Sequence, residues 1–206
     1  MKRAKKRSEK KPAKKKVAKR KPARKKATKK KILVVADLVD STKNISGILN
    51  AFKSFKIEHQ DWSLDIIGDG PDAEKLFAYA NENKIKDVNF LGRLPNDKVL
   101  RLYEAYDFLI SFSNFETFGL TLAEALAAGI PVIATKCGGP ETFINENNGI
   151  LINPKDVQAL TAAMGNMANK KDHYSIEYLQ QSVAQFQASA VQSAFRKMYQ
   201  GLLDIK

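Results

Sequence analysis

The 206-residue chain carries 35 Lys and Arg against 22 Asp and Glu, a formal charge of +13, and a single cysteine. One cysteine excludes an intrachain disulfide and fits a reducing compartment; no apolar run approaches the roughly 20 residues of a membrane span; and an N-terminus with charge but no apolar h-region does not read as a secretory signal, so a cytoplasmic location is expected. The charge is uneven: residues 1–31 hold 19 of the 35 basic residues and one acid, Glu9, whereas residues 32–206 hold 16 basic and 21 acidic residues and carry −5.

Residues 1–31 are low-complexity Lys/Ala/Arg/Pro, with Lys-Pro-Ala at 11–13 and 21–23 and only Met1 and Val17 as large apolar side chains. Such a segment cannot bury enough surface to offset the entropy of ordering, which predicts a disordered tail. Two readings of it stay open. It resembles the tails of linker histones, which implies an arm that binds DNA, RNA or another polyanion by counterion release; or it is a solvated tail without a partner.

From Ile32 the pattern changes. Ile32–Ala36 reads as a buried strand and Asp37–Lys43 as a polar loop. Ile45, Ile48, Leu49, Phe52 and Phe55 have the spacing of a helix face. Leu64–Gly68 is a second strand, followed by Gly68-Asp69-Gly70-Pro71, with Pro71 suited to the first turn of a helix running to about Asn83. Val88–Leu91 is a third strand, and Asp97 to about Tyr106 a helix with Val99, Leu102, Tyr103 and Tyr106 inward. Phe108–Ile110 is a fourth strand, and the helix after it should turn Leu120, Ala123, Leu126 and Ala127 to the core. Val132–Thr135 and Gly149–Ile152 are further strands, with the glycine-rich segment Lys136–Glu141 opening a short helix between them. Val157, Leu160, Met164 and Met167 mark another helix. Tyr174 to Leu203 reads as two helices with Phe186, Val191, Phe195, Tyr199 and Leu202 inward. Alternating strands and helices predict one α/β domain, 32–206, a Rossmann-like doubly wound parallel sheet of about six strands. Ligands of such sheets bind at the carboxyl ends of the strands, and the loops after strands one, two, four and five are rich in Gly, Asp, Glu, Ser and Lys.

The stretch Asn114–Gly129 concentrates the chemistry. It places a loop carboxylate, Glu116, then Gly119 at a helix entrance, then a second carboxylate, Glu124. A helix N-terminus offers unpaired N–H groups and the positive end of a dipole, and a residue without Cβ lets a ligand approach the backbone, an arrangement suited to a diphosphate. As a glycosidase pair the two acids are badly spaced: eight helical residues rise ~12 Å, against about 5–9.5 Å in hydrolases. They are suited to accept hydrogen bonds from sugar hydroxyls. The bland alternative is a loop acid and a solvent-facing helix acid.

Phe115-Glu116-Thr117-Phe118-Gly119-Leu120, with Glu124-Ala125 and Ala128-Gly129-Ile130-Pro131-Val132, resembles the E-x7-E segment of glycosyltransferase family 4, the group 1 transferases of GT-B architecture. Ile67-Gly68-Asp69-Gly70-Pro71, Phe90-Leu91-Gly92, Leu102-Tyr103, Asp107, Gly138-Gly139-Pro140-Glu141 and Asn148-Gly149 extend the resemblance from about Ile32 to the C-terminus. It implies the C-terminal, nucleotide-sugar-binding half of a retaining hexosyltransferase that needs no metal or other cofactor. It further implies Glu116 on the donor sugar as the catalytic position, Glu124 on the ribose, backbone N–H groups near Gly119, Leu120 and Thr121 on the diphosphate, and Phe118 among the donor-binding residues. Lys43 would neutralise phosphate, and Gly92 and Arg93 would lie beside the base. Two departures stand out. Ala36-Asp37-Leu38 replaces the family's Gly-Arg-Leu, so an acid stands where an arginine is expected, and Arg93 is the candidate for the missing charge. The acceptor half of GT-B enzymes has no counterpart, since 31 basic residues stand before the domain. Three readings follow: an enzyme half working with a separate N-terminal acceptor-domain chain, a module that binds nucleotide sugar without turnover, or a polyanion-binding protein acting through its tail. His59 and His173 are isolated and expected at the surface, no metal site is expected, and Cys137 is expected to be structural.

Overall fold

The computed structural model describes residues 30–187, 189–193, 195 and 196. The predicted tail, apart from Lys30 and Lys31, and the predicted apolar positions Tyr199 and Leu202 lie outside the described residues. Six strands, β1 (Lys30–Val35), β2 (Trp62–Ile67), β3 (Val88–Gly92), β4 (Phe108–Ser111), β5 (Val132–Thr135) and β6 (Gly149–Ile152), form one sheet in the order β3-β2-β1-β4-β5-β6. All neighbouring pairs are parallel.

The strands read as near-continuous apolar runs because both faces are covered, and their period of two sends alternate residues to opposite cores. Ile32, Val34, Leu64, Ile66, Phe108, Ile110 and Ile133 pack on one face. There they meet α2 (Ile45–Phe55), α3 (Ala73–Glu82) and α6 (Val157–Lys170). Leu33, Ile67, Leu109, Val132 and Ala134 pack on the other, against α4 (Asn96–Leu102), α5 (Leu120–Ala127) and α7 (Ile176–Ser182). All five predicted inward positions of α2 are buried.

Several boundaries differ from expectation for physical reasons. β1 starts at Lys30, two residues before the apolar run. The Lys31 N–H donates to the Asp107 carboxylate at 2.8 Å, and its Nζ donates to Asp65 at 3.2 Å. Asp65 is 3 % exposed and also accepts from Asn89 Nδ2 and the Tyr106 hydroxyl. The two lysines thus belong to the fold because a buried carboxylate and a backbone ladder use them. The predicted loop 37–43 holds a one-turn helix, α1 (Asp40–Lys43), and Asn44, at φ 50°, ends it and caps α2 by accepting from the Gly47 N–H. α3 begins at Ala73, past Pro71. α4 ends at Leu102 and passes into a 3-10 turn, Tyr103–Ala105. The C-terminal reading changes most. α7 is seven residues long, a 3-10 turn covers Ala184–Phe186, and residues 189–193 are helical. Phe186, Val191 and Phe195 are exposed rather than inward. Among the described residues no helix is long and apolar enough to cross a membrane.

Candidate functional site

The strand order reverses between β1 and β4, so the loops leaving their carboxyl ends diverge and open a crevice. A cavity of about 330 Å³ lies there. It is walled by Asp37 and Lys43 after β1, Asp69 after β2, Arg93 after β3, and Glu116, Leu120, Thr121 and Glu124 after β4. Residues predicted from distant parts of the chain therefore share one wall.

The carboxylate of Glu116 meets Lys43 Nζ at 2.6 Å, with side-chain exposures of 18 % and 23 %. Both partners are held from behind. The Asn114 N–H donates to Thr42 O at 2.7 Å and its side-chain amide to Ser41 O, which ties the turn bearing Lys43 to the loop bearing Glu116. The Glu116 N–H donates to Cys137 O, and its carbonyl accepts from the Gly139 N–H at 2.8 Å. Gly139 permits this approach: a Cβ there would stand 2.4 Å from the backbone of Phe118.

Gly119 sits at φ 91°, ψ 54° as the residue before α5, a conformation costly for any residue with a Cβ. Its carbonyl accepts the first helical bonds, from the N–H groups of Leu122 and Ala123. The amides of Gly119, Leu120 and Thr121 stand ahead of those bonds, and Leu120 and Thr121 front the cavity. This start corrects the expected inward face of the helix: Leu122, Ala123, Ala125 and Leu126 are buried, whereas Leu120 is 63 % exposed and Ala127 is exposed. Leu120 is the first residue of the helix and projects at the rim.

Glu124 is half-buried one turn further in, and the Tyr103 hydroxyl donates to it at 2.9 Å. Burial first, and then the Glu124 charge, push the Tyr103 phenol well above the ordinary tyrosine range, so it is a fixed donor. Sequence periodicity registers Tyr103 only as an inward position; its place in the matched pair Leu102-Tyr103 was the one signal of a second role. Asp69, also on the wall, was marked only by its place in the matched run Ile67-Gly68-Asp69-Gly70-Pro71.

Asp37 does face the cavity, and it faces Arg93, whose guanidinium lies 3.5 Å away; both side chains are about three-quarters exposed. Three predicted donor-site residues do not line the cavity. The Gly92 carbonyl accepts from the Gly68 N–H at the end of the sheet. Gly119 is buried at the entrance of α5. The Phe118 ring turns away, its centroid 4.8 Å from Phe186 and 5.4 Å from Phe143, because aromatic packing holds it there. Cys137 Sγ lies 3.2 Å from the Thr135 hydroxyl, and burial pushes its thiol up. His59 stacks on Phe55 and His173 Nδ1 contacts a carbonyl of its own turn. Among the described residues no group of three His, Cys, Asp or Glu is placed to hold a metal ion.

An all-parallel 3-2-1-4-5-6 sheet with its polar cavity at the switch point defines a Rossmann-like domain. The chain belongs to the family of glycosyl transferases group 1, whose model matches residues 15–180. It is 30 % identical to the lipopolysaccharide 1,6-galactosyltransferase of Escherichia coli over 164 residues, 77 % of this chain and 45 % of that one. It is also 30 % identical to the N-acetyl-alpha-D-glucosaminyl L-malate synthase of Bacillus anthracis over 178 residues, 84 % of this chain and 46 % of that one. The chain thus spans less than half the length of these relatives. The pneumococcal O-GlcNAc transferase GtfA, crystallised with UDP and GlcNAc, shares the fold at a TM-score of 0.73 and 22 % identity, over 84 % of this chain and 36 % of that one. A crystallised C-terminal domain of a group 1 glycosyl transferase from Francisella tularensis matches at a TM-score of 0.66 and 24 % identity, over 75 % of this chain and 85 % of that one.

Proposed function

We propose that residues 30–187 form the donor-binding half of a retaining glycosyltransferase of family 4, taking a hexose from a nucleoside diphosphate sugar. The observation that carries this reading is the single cavity joining the Lys43–Glu116 pair, the N-terminus of α5 and the tyrosine-held Glu124. In this reading the amides of Gly119, Leu120 and Thr121 and the Lys43 ammonium hold the diphosphate. Glu116 accepts from hydroxyls of the donor sugar, and Glu124 accepts from the ribose. Arg93 and the backbone after Gly92 border the base. As the anomeric C–O bond breaks, negative charge grows on the departing phosphate oxygen. Lys43 and the positive helix end stabilise that charge where it develops, so the leaving group needs no metal. The acceptor approaches from the open side of the cavity, against a second half supplied by further polypeptide or by a separate chain.

A second reading, donor binding without turnover, is favoured by one observation: Asp37 places an acid on the cavity wall where the family resemblance leads one to expect an arginine. A labelled-donor transfer assay separates the two. The shared claim of nucleotide binding is tested by thermal unfolding of the full chain with UDP, GDP and ADP, each beside its monophosphate. A ligand at a hundred times its Kd stabilises the native state by ~2.7 kcal/mol, a rise of several degrees. One diphosphate should outperform its monophosphate. Equal shifts for diphosphates and inorganic phosphate, or no shifts, would overturn the reading.

A further inference from the structure

The donor cavity has two unlike ends. The strand order β3-β2-β1-β4 sets the loop after β3 three strands from the loop that enters α5, about 14 Å at the ordinary strand spacing. The α5 end carries the Lys43–Glu116 pair and the first turn of the helix. Glu124 stands one turn further in, held by Tyr103 from the segment that follows α4. At the β3 end Leu94 and Val99 give the wall an apolar stretch, and Asp37 and Arg93 stand at the rim. A nucleotide with its diphosphate on α5 and its ribose on Glu124 extends its base toward this β3 end.

The backbone that carries Asp37 is pinned on both sides. The Ala36 N–H donates to Ile67 O at 3.1 Å, and the Leu38 N–H donates to Asp69 O at 2.9 Å. The Asp37 carbonyl accepts from the Val39 N–H at 2.8 Å. Gly68 lies so close behind that a Cβ on it would collide with Ala36 O. The carboxylate is held loosely by comparison. Its oxygen lies 3.5 Å from Arg93 Nη2, beyond the roughly 2.7–2.9 Å of a charge-assisted hydrogen bond. An exposed pair of this kind adds little to stability. The fold thus presents two acceptor oxygens and a forked donor, side by side, to whatever occupies the β3 end.

We propose, on the donor-binding reading above, that the Asp37–Arg93 pair reads the base and selects a guanosine diphosphate sugar. An ionised carboxylate is acceptor-only, so its two oxygens are matched by two adjacent donors. Guanine supplies them as N1–H and the 2-amino group, and its O6, next along the same edge, accepts from a guanidinium. Uracil has one N–H between two carbonyls. Adenine and cytosine each have one amino group beside a bare ring nitrogen. All three set a lone pair against the second carboxylate oxygen. Leu94 and Val99 offer apolar surface to the face of the ring. Asp37 is then a reader of the donor's base and not an acid misplaced beside its phosphates.

The test is titration calorimetry of the full chain with GDP, IDP, UDP and ADP, which share the diphosphate and differ in the base. GDP should bind at least about tenfold more tightly than each of the others, IDP included, since it lacks only the 2-amino group. Asp37→Ala should bring GDP down to the level of IDP with an unchanged melting temperature. Asp37→Asn, whose amide can donate, should lose the advantage of GDP and gain affinity for xanthosine diphosphate, which has a 2-oxo group. Arg93→Ala should weaken GDP and IDP alike, because both carry O6. Equal binding of the four diphosphates would overturn the guanine assignment and leave diphosphate binding standing, whereas binding of none would overturn both. A preference for GDP that survives Asp37→Ala would also overturn the assignment.

Discussion

At the scale of single residues, Glu124 is the carboxylate best prepared to bind. Its position is fixed by Tyr103, so in the proposed reading little side-chain freedom remains to be lost when a ribose binds. Charge-assisted hydrogen bonds contribute about 1.5–3 kcal/mol each. Glu124→Ala should therefore weaken nucleoside diphosphate binding by at least about tenfold. Titration calorimetry reads this directly, with Glu124→Gln as the companion that still accepts from Tyr103. The tyrosines predict a pH dependence as well. Burial with Glu124 raises the Tyr103 phenol, and burial with Asp65 raises Tyr106. An unfolded tyrosine loses its proton near pH 10, where the folded chain still holds these two. Their contribution is complete below about pH 10 and is lost as pH rises above it. Tyr103→Phe removes one such group, so the fall in stability above about pH 10 should be shallower; urea melts across this range would show an unchanged fall if Tyr103 were not involved.

At the scale of elements, the site depends on two segments leaning on each other: the loop into α5 and the glycine-rich loop after β5. Gly139→Ala would drive a methyl group into the Phe118 backbone. Overpacking of this kind costs about 1–3 kcal/mol, and because the displaced backbone leads into Gly119, nucleotide affinity should fall along with the melting temperature. The elements also show what a sequence discloses. The five apolar positions of α2 recur at helical spacing, and all are buried. The same method misplaced Leu120, since apolar spacing does not say that a helix begins at the rim of a crevice. It hid Lys30 and Lys31 inside a basic run, because Lys30 pairs with Asp61 and Lys31 with Asp65, 34 residues away from it. Glu116 and Lys43 could be named as separate candidates, but their contact spans 73 residues and follows only from the strand order. Tyr103 was legible as core and not as the support of Glu124, for a periodic pattern records burial and not what a hydroxyl reaches.

At the scale of the whole molecule, one sheet separates two cores, and the carboxyl ends of its strands open on the cavity. The tie between the basic N-terminus and the fold is energetic as well as topological. Lys31→Ala removes a charged donor from the buried Asp65 and should cost about 1.5–3 kcal/mol, measurable in urea melts; no change would mean that Tyr106 and Asn89 satisfy Asp65 alone. The central claim is that the α5 end of the cavity binds the diphosphate of a nucleotide. The most direct measurement is an amide-resolved NMR titration of the full chain with the nucleoside diphosphate that stabilises it most. The account predicts saturable shifts centred on Gly119, Leu120 and Thr121, reduced for the monophosphate. Saturation with those three amides unmoved, and the shifts elsewhere on the surface, would contradict it.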